Sequence, residues 1–356
     1  MSARAAAVLL VLLAALGGGA LLVHQQKRAG EPAAAERLGK PVLPGLQAAQ
    51  VQSIVIREPQ ATLTLERRGD GWAVAERAGF PADVGKVREL VLATISLKVG
   101  QVEPIAERDR ARLKLDASGT RLEFRGAGGT ALASIIVGRK VFKQEPRNAA
   151  AAAGDGRFIL VPDRPGEALV VADPLALATA KSSAWVSKTG FGAEKVRIME
   201  VDFPAGGKWR VERPSVEGDW KLTPLYAGEK LDVIRANSAT YSLNRVELAD
   251  VAAPGLRPDE TGLDRPITVV ASTFDRLTYT LKLGKLRGDD YYATVWISGE
   301  ARPSGPDAAE RAKSLAERLP REKALAGQVL LIARSKFEDV LKPRAELLEP
   351  KAAGRK

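Results

Sequence analysis

VQSIVIREPQATLTLERRGDGW (residues 51–72) and VRIMEVDFPAGGKWRVERPSVEGDW (residues 196–220) carry one pattern twice. In each, apolar and polar residues alternate, a turn holds Pro59 or Pro204, alternation resumes, and a Gly/Asp turn leads to a tryptophan. Period-two alternation bounded by turn residues is the mark of half-buried strands. Trp72 and Trp220 stand 148 positions apart. Further matches follow at shifts of 146–148: Ile95-Ser96-Leu97 with Tyr241-Ser242-Leu243, Leu115-Asp116 with Leu263-Asp264, and Val137-Gly138-Arg139-Lys140 with Leu283-Gly284-Lys285. RFILVP from Arg157 is matched with QVLLIA from Gln328, the longer spacing taking up an insertion in the second copy. Self-similarity at a fixed period points to tandem copies of one folding unit.

Helices are placed on the same frame. Asp83 is the expected N-cap of a helix over 84–97, where Val84, Val87, Leu90 and Val91 give a helical stripe; its counterpart is expected over 229–242. The glycine-rich stretch 126–129 joins two alternating runs as a hairpin, and Phe274-Asp275-Arg276 does the same in the second copy. Apolar residues at Ala308, Ala312, Leu315 and Leu319 predict an extra amphipathic helix over about 306–319. The expected fold class is therefore α+β: two tandem, strand-rich repeats over 51–190 and 191–348, preceded by one transmembrane helix and followed by a basic tail over 349–356.

Residues 5–23, AAAVLLVLLAALGGGALLV, hold 19 positions without a charge. At 1.5 Å per residue a helix of that length spans roughly 28 Å, about the thickness of a bilayer core. A signal anchor is expected over 1–28 with its helix at about 5–23. A cleaved secretory signal ending near Gly18-Gly19-Ala20 is the competing reading, although Leu21, Leu22 and Val23 continue the apolar run. Both readings send the bulk of the chain across a membrane, so residues from about 30 onward are expected outside the cytoplasm. Residues 29–50, with Pro32, Pro41 and Pro44, read as a stalk, so ordered structure is expected from about Val51.

Composition removes much chemistry. The 356 residues are 45% hydrophobic and 27% charged, with no cysteine, one histidine, and 54 Lys+Arg against 43 Asp+Glu for a net charge of +11. Thiol catalysis, thiolate-held zinc and iron–sulfur clusters need a sulfur that is absent. The one histidine, His24, borders the apolar run, so the body of the chain has neither a Ser-His-Asp triad nor a multi-histidine metal site. None of the Gly-Lys pairs is followed by Ser or Thr, as a phosphate-cradling loop requires. Gly126-Ala127-Gly128-Gly129-Thr130-Ala131 fits G-x-G-x-x-A but lies between two strands and reads as a turn. Asp289-Asp290 reads as a polar turn rather than a metal pair, and Trp72 and Trp220 as packing residues rather than stacking platforms. No catalytic, cofactor-binding or metal-ligating residue is expected, and no cofactor. Basic residues are scattered, so a nucleic-acid partner is not expected, whereas an anionic polymer or lipid surface remains open.

A resemblance rests on particular residues. Trp72, the helix start Phe80-Pro81-Ala82-Asp83-Val84-Gly85-Lys86-Val87, the Gly262-Leu263-Asp264-Arg265-Pro266 segment, the Leu283-Gly284-Lys285 turn and Tyr291-Tyr292-Ala293 resemble the bacterial domain of unknown function 4340 family. The first copy lacks the Gly and Pro around Leu115-Asp116 and lacks the Tyr-Tyr-Ala element. The signature residues, Trp72, Asp83, Lys86, Asp116, Gly138, Trp220, Gly262, Leu263, Asp264, Pro266, Gly284, Tyr291 and Tyr292, are read as structural. The resemblance implies an envelope protein held by one N-terminal helix and working beside ABC-type transporter components of the gliding-motility kind. The expected function is a non-catalytic, membrane-anchored scaffold or accessory subunit that binds protein partners; the alternative is a periplasmic binding module for an anionic polymer or glycan.

Overall fold

The run SIVIRE forms strand β1 (Ser53–Glu58), which hairpins into β2 (Ala61–Arg68) with Ile54 opposite Leu65 and Ile56 opposite Leu63. On the other side of β1, Ile54 faces Phe124 and Ile56 faces Leu122. All six side chains are buried, so one face of the sheet is core and a one-residue slip would turn it to water. This is a computed structural model, and it describes residues 35–142, 144, 147–148 and 154–350. The described chain is α+β and sheet-dominated. The described residues divide into two compact units, 35–67 with 85–180, and 68–84 with 181–350. The expected anchor helix over 5–23 and the tail from 351 lie outside the described residues; no described helix is long and apolar enough to cross a membrane.

After β2 the chain contributes β3 (Gly71–Val74) and β4 (Phe80–Pro81) to the second unit, where Ala82 bridges to Val186. The first unit resumes with α1 (Val84–Ile95), β5 (Gln101–Pro104), α2 (Glu107–Leu113), β6 (Thr120–Arg125), β7 (Ala131–Val141), β8 (Gly156–Leu160) and β9 (Glu167–Val171). Its strand order is β2-β1-β6-β7-β8-β9-β5, all neighbours antiparallel. Helix α1 buries Val87, Leu90, Val91 and Thr94, the Thr94 hydroxyl donating to the Leu90 carbonyl at 2.8 Å.

The second unit adds β10 (Thr189–Phe191), β11 (Val196–Asp202), β12 (Lys208–Glu212), β13 (Lys221–Thr223), α3 (Val233–Tyr241), β14 (Val246–Glu247), β15 (Asp250–Val251), α4 (Pro258–Thr261), β16 (Ile267–Thr273), β17 (Thr278–Arg287), β18 (Asp290–Ser298), α5 (Ala308–Lys323) and β19 (Leu330–Ala333). Its main sheet runs β13-β12-β11-β16-β17-β18-β19-β15, with β10 and β14 paired apart from it. Val201 lies opposite Trp209 and Val269, and Met199 opposite Val211 and Ala271, all buried. Trp209 satisfies its indole N–H on the Lys342 carbonyl at 3.0 Å, which lets so large a ring be fully buried.

Several sequence expectations shift. The described part of the expected stalk, 35–50, is packed into the first unit. Gly39 and Val42 donate to the Val99 and Leu97 carbonyls (2.8 and 2.9 Å), Val99 donates back to Lys40, Arg37 pairs with Glu167, and Val42 and Leu46 are buried. Pro41 bridges to Lys98 and Pro44 lies in a turn, and buried Val42 and Leu46 dock the segment. Helix α3 starts at Val233 rather than 229, because Asp232 accepts from the Ile234 and Arg235 amides at 3.0 and 3.2 Å, while Leu231 bridges to Leu348. Helix α1 ends at Ile95, and the extra helix runs from Ala308 to Lys323, through Pro320. The Arg157 strand, β8, does not hold the place in its sheet that the Gln328 run holds. By strand order it corresponds to β18, and β9 corresponds to β19. The similar apolar runs misled the match because α5 lies between β18 and β19.

Candidate interaction surface

Helix α3 presents its residues the wrong way round for a helix on a core. Small residues, Ala236, Ala239 and Thr240, face inward, while Val233, Ile234 and Tyr241 face out, Ile234 with 77% of its surface exposed and Tyr241 with 63%. A helix on a folded core ordinarily buries its large apolar side chains. Here alanines permit a close approach, and a polar contact ties the helix down: the Trp220 indole N–H donates to the Asn237 side-chain oxygen at 2.8 Å, while the buried Thr240 hydroxyl is satisfied within the helix on the Ala236 carbonyl at 3.0 Å. Beneath Trp220 lies the Arg213 guanidinium, 4.5 Å from the ring centroid and 5.8 Å from that of Phe274.

The segment before α3 extends the surface. Leu225 and Tyr226 are exposed, yet the backbone carrying them is tied down by Arg344. That guanidinium donates to the Pro224 carbonyl through Nε at 3.0 Å and Nη2 at 2.7 Å, pairs with Glu229, and lies 4.7 Å over the Tyr226 ring. The Glu229 hydrogen bond pushes Arg344 above the usual arginine value. Two more ties join the segments: Asp232 N–H donates to the Leu347 carbonyl at 2.9 Å, and Arg235 donates to the Glu346 carbonyl. Exposed aromatic and branched side chains on an ordered backbone, with an arginine among them, are the composition of a protein-binding patch.

Helix α5 contributes Arg311, Arg318 and Glu322 to a cluster of titratable groups. Arg311 pairs with buried Asp275 and donates to Glu194 at 3.3 Å; Arg318 donates to Glu322 at 2.5 Å and to the Gly192 carbonyl at 2.9 Å; the Tyr279 hydroxyl donates to Glu322 at 3.2 Å. A cleft of about 340 Å³ lined by Glu194, Arg213, Tyr241 and Arg311 opens beside it. Burial pushes the Glu322 carboxyl up despite Arg318, and pushes the Tyr279 phenol up as well. Folded Glu322 therefore holds its proton to higher pH than the unfolded chain does. Its contribution favours folding below the unfolded value of about 4.3 and is lost as pH rises through its folded value. The stability difference between wild type and Glu322→Gln, followed by urea titration, is expected to fall with rising pH across that window; a flat or rising difference would contradict it.

The signature residues fall into separate places. Trp72, half-buried on β3, accepts the Ala82 amide on its carbonyl at 2.7 Å, and the Asp83 amide donates to the Trp185 carbonyl at 2.7 Å. Lys86 is half-buried in the first turn of α1. Asp116 accepts from the Ser118 hydroxyl and amide, which hold it below the usual carboxylate value. Leu263 and Pro266 are half-buried and Asp264 is exposed. Tyr291 packs edge-on against Phe337 at 6.1 Å, and Tyr292 is half-buried opposite Leu331. Asp289 accepts the Arg334 amide on its backbone carbonyl at 2.8 Å and Asp290 pairs with Arg287 across the turn; among the described residues no group of three His, Cys, Asp or Glu could hold a metal.

Two of the signature residues do meet. Gly262 closes α4 in the left-handed region at φ 75°, and a Cβ on Gly284 would stand 2.2 Å from the Thr261 carbonyl. Such an approach needs glycine. In the first unit a Cβ on Gly138 would stand 2.5 Å from the Leu113 carbonyl, and the next residue, Lys114, is left-handed at φ 54°. Both glycines lie at β-bulges, the register shifting between Val137 and Lys140 and between Leu283 and Leu286. Sequence reasoning missed the α3 surface because helical periodicity locates an apolar stripe without saying which side meets the core.

No curated protein and no solved structure matches the chain. The model of a family described as "Domain of unknown function (DUF4340)" matches residues 72–266, a single span that opens on Trp72 and closes on Pro266. That span is more than half of the chain, and the protein belongs to this family.

Proposed function

We propose that the protein is a non-catalytic scaffold or accessory subunit of an envelope transport complex of the ABC type, held to the inner membrane by residues 5–23 with its two units in the periplasm. The observation that carries this reading is the outward-facing apolar surface of Leu225, Tyr226, Val233, Ile234 and Tyr241 on a braced backbone. A membrane tether raises the local concentration of such a surface beside a membrane complex, so a weak contact suffices. The reading includes an internal duplication. Seven strands of the first unit, β2-β1-β6-β7-β8-β9-β5, follow the connectivity of β12-β11-β16-β17-β18-β19-β15, and the glycine at each bulge meets a carbonyl in the same way, which supports descent from one repeated unit.

The test is a paired capture from crosslinked membranes with wild type and Ile234→Asp or Tyr226→Asp. Both side chains are largely exposed, so the variants are expected to keep the wild-type melting temperature while losing most of the recovered transporter subunits. Equal recovery by wild type and variants would remove this surface from the account.

A further inference from the structure

A cleft of about 420 Å³ opens in the first unit between the β1–β2 turn, the loop after α2 and the β7–β8 bulge. Its wall carries two cations, Lys114 and Arg157, and the Thr120 hydroxyl, against one carboxylate, Glu58. Arg157 is half-buried and fixed: Nε donates to the Pro174 carbonyl at 2.7 Å and Nη1 to the Gly138 carbonyl at 2.8 Å. Among the described residues neither Arg157 nor Lys114 has a carboxylate partner. Burial lowers the Arg157 value with no neighbouring carboxylate to offset it. A guanidinium removed from water and neutralised only by carbonyl dipoles carries a desolvation cost that a bound anion would relieve.

Comparison of the two bulges sharpens this. Where β18 places Tyr291 opposite Leu286, beside its bulge, β8 places Arg157 opposite Lys140. Where α4 ends on Gly262, α2 ends on Lys114, a side-chain-bearing residue in the left-handed region. Left-handed backbone is unfavourable for a side-chain-bearing residue, a cost that glycine at this position would avoid. These two differences between the bulges bring both cations to the same cleft.

We infer that this cleft binds a phosphodiester monoanion, with Arg157 as a fixed guanidinium whose Nη2 no carbonyl engages, Lys114 as the second charge and Thr120 as a neutral donor. A guanidinium N–H and an ammonium can each take a phosphoryl oxygen, and Glu58 leaves the wall a single net positive charge, suited to a monoanion rather than a dianion. A lipid headgroup and a soluble glycerol-phosphate chain share this chemistry. The inference stands apart from the scaffold reading, since it concerns the first unit alone.

The test is titration of the detergent-solubilised full chain with glycerophosphoglycerol, with inorganic phosphate, and with mixed micelles containing phosphatidylglycerol. Wild type, Lys114→Gly and Arg157→Lys are compared, with folding followed by circular dichroism. Lys114→Gly relieves the left-handed strain, so it is expected to fold. Wild type is expected to bind the diester in a salt-dependent way and inorganic phosphate more weakly, and Lys114→Gly to weaken diester binding about 10- to 100-fold, as loss of one charge-assisted contact implies. Arg157→Lys keeps the charge but loses the two carbonyl contacts that fix it, and is expected to weaken it similarly. Preference for the micelles assigns the ligand to lipid, and preference for the soluble diester assigns it to a polymer. No diester binding in either form, or binding unchanged in folded Lys114→Gly, would overturn the inference.

Discussion

Replacing Arg311 by alanine is expected to lower the stability of the second unit by about 3–5 kcal/mol, the range for breaking one side of a buried ion pair. The side chains of Arg311 and Asp275 are 14% and 5% exposed, and Arg311 also donates to Glu194. Removing the guanidinium strands the Asp275 carboxylate in the β16–β17 turn, where the Asp275 backbone carbonyl additionally accepts the Arg302 amide at 2.9 Å. Exchanging both partners for apolar residues removes the stranded charge as well, so Arg311→Met with Asp275→Leu is expected to recover most of the loss. Urea titration, with hydrogen exchange along α5 to localise the effect, distinguishes the outcomes. A single-variant loss below about 1 kcal/mol, the range for exposed pairs, would mean the pair is solvated and α5 is held by its apolar contacts alone.

Gly284→Ala and Gly138→Ala carry the second large effect. In each case the new Cβ meets a backbone carbonyl, at 2.2 Å from Thr261 and 2.5 Å from Leu113, and a carbonyl in a helix end cannot swing aside as a flexible side chain can. A loss of about 2–3 kcal/mol is expected for each, at the upper end for overpacking, with hydrogen-exchange protection falling at α4 and β17 in one variant and at α2 and β7 in the other. The parallel matters more than the size. If one substitution is silent and the other severe, the two bulges are not equivalent supports, and the argument for duplication weakens.

The strands were legible because alternation and turn chemistry act within a few residues. Ile54, Ile56, Leu63 and Leu65 announce a buried face before any partner is known. The Asp232 cap was within reach for the same reason, since Asp before Val233-Ile234 is a local signal, although the 148-residue shift drew the helix start four residues too early. Longer-range choices were hidden. Nothing local says that Pro41 and Val42 dock by pairing with 97–99, or that residues 68–84 join the second unit. The orientation of α3 is decided by what packs beneath it: buried Ala236, Ala239 and Thr240, with the Asn237 bond to Trp220, outweigh the larger apolar residues. Arg157 escaped notice because the Tyr-Tyr-Ala element was sought by residue type, whereas the bulge register places Arg157-Phe158-Ile159 in the corresponding position.

In the proposed role, a protein partner binds the braced apolar surface around α3. The most direct measurement is crosslink-assisted purification of the full-length, C-terminally tagged protein from membranes, with mass spectrometry locating the crosslinked peptides and Ile234→Asp as the control. The account predicts transporter permease or accessory subunits crosslinked to residues 224–241, and their loss in the variant. Partners crosslinked elsewhere and retained in Ile234→Asp, or no partner at all in wild type, would contradict it.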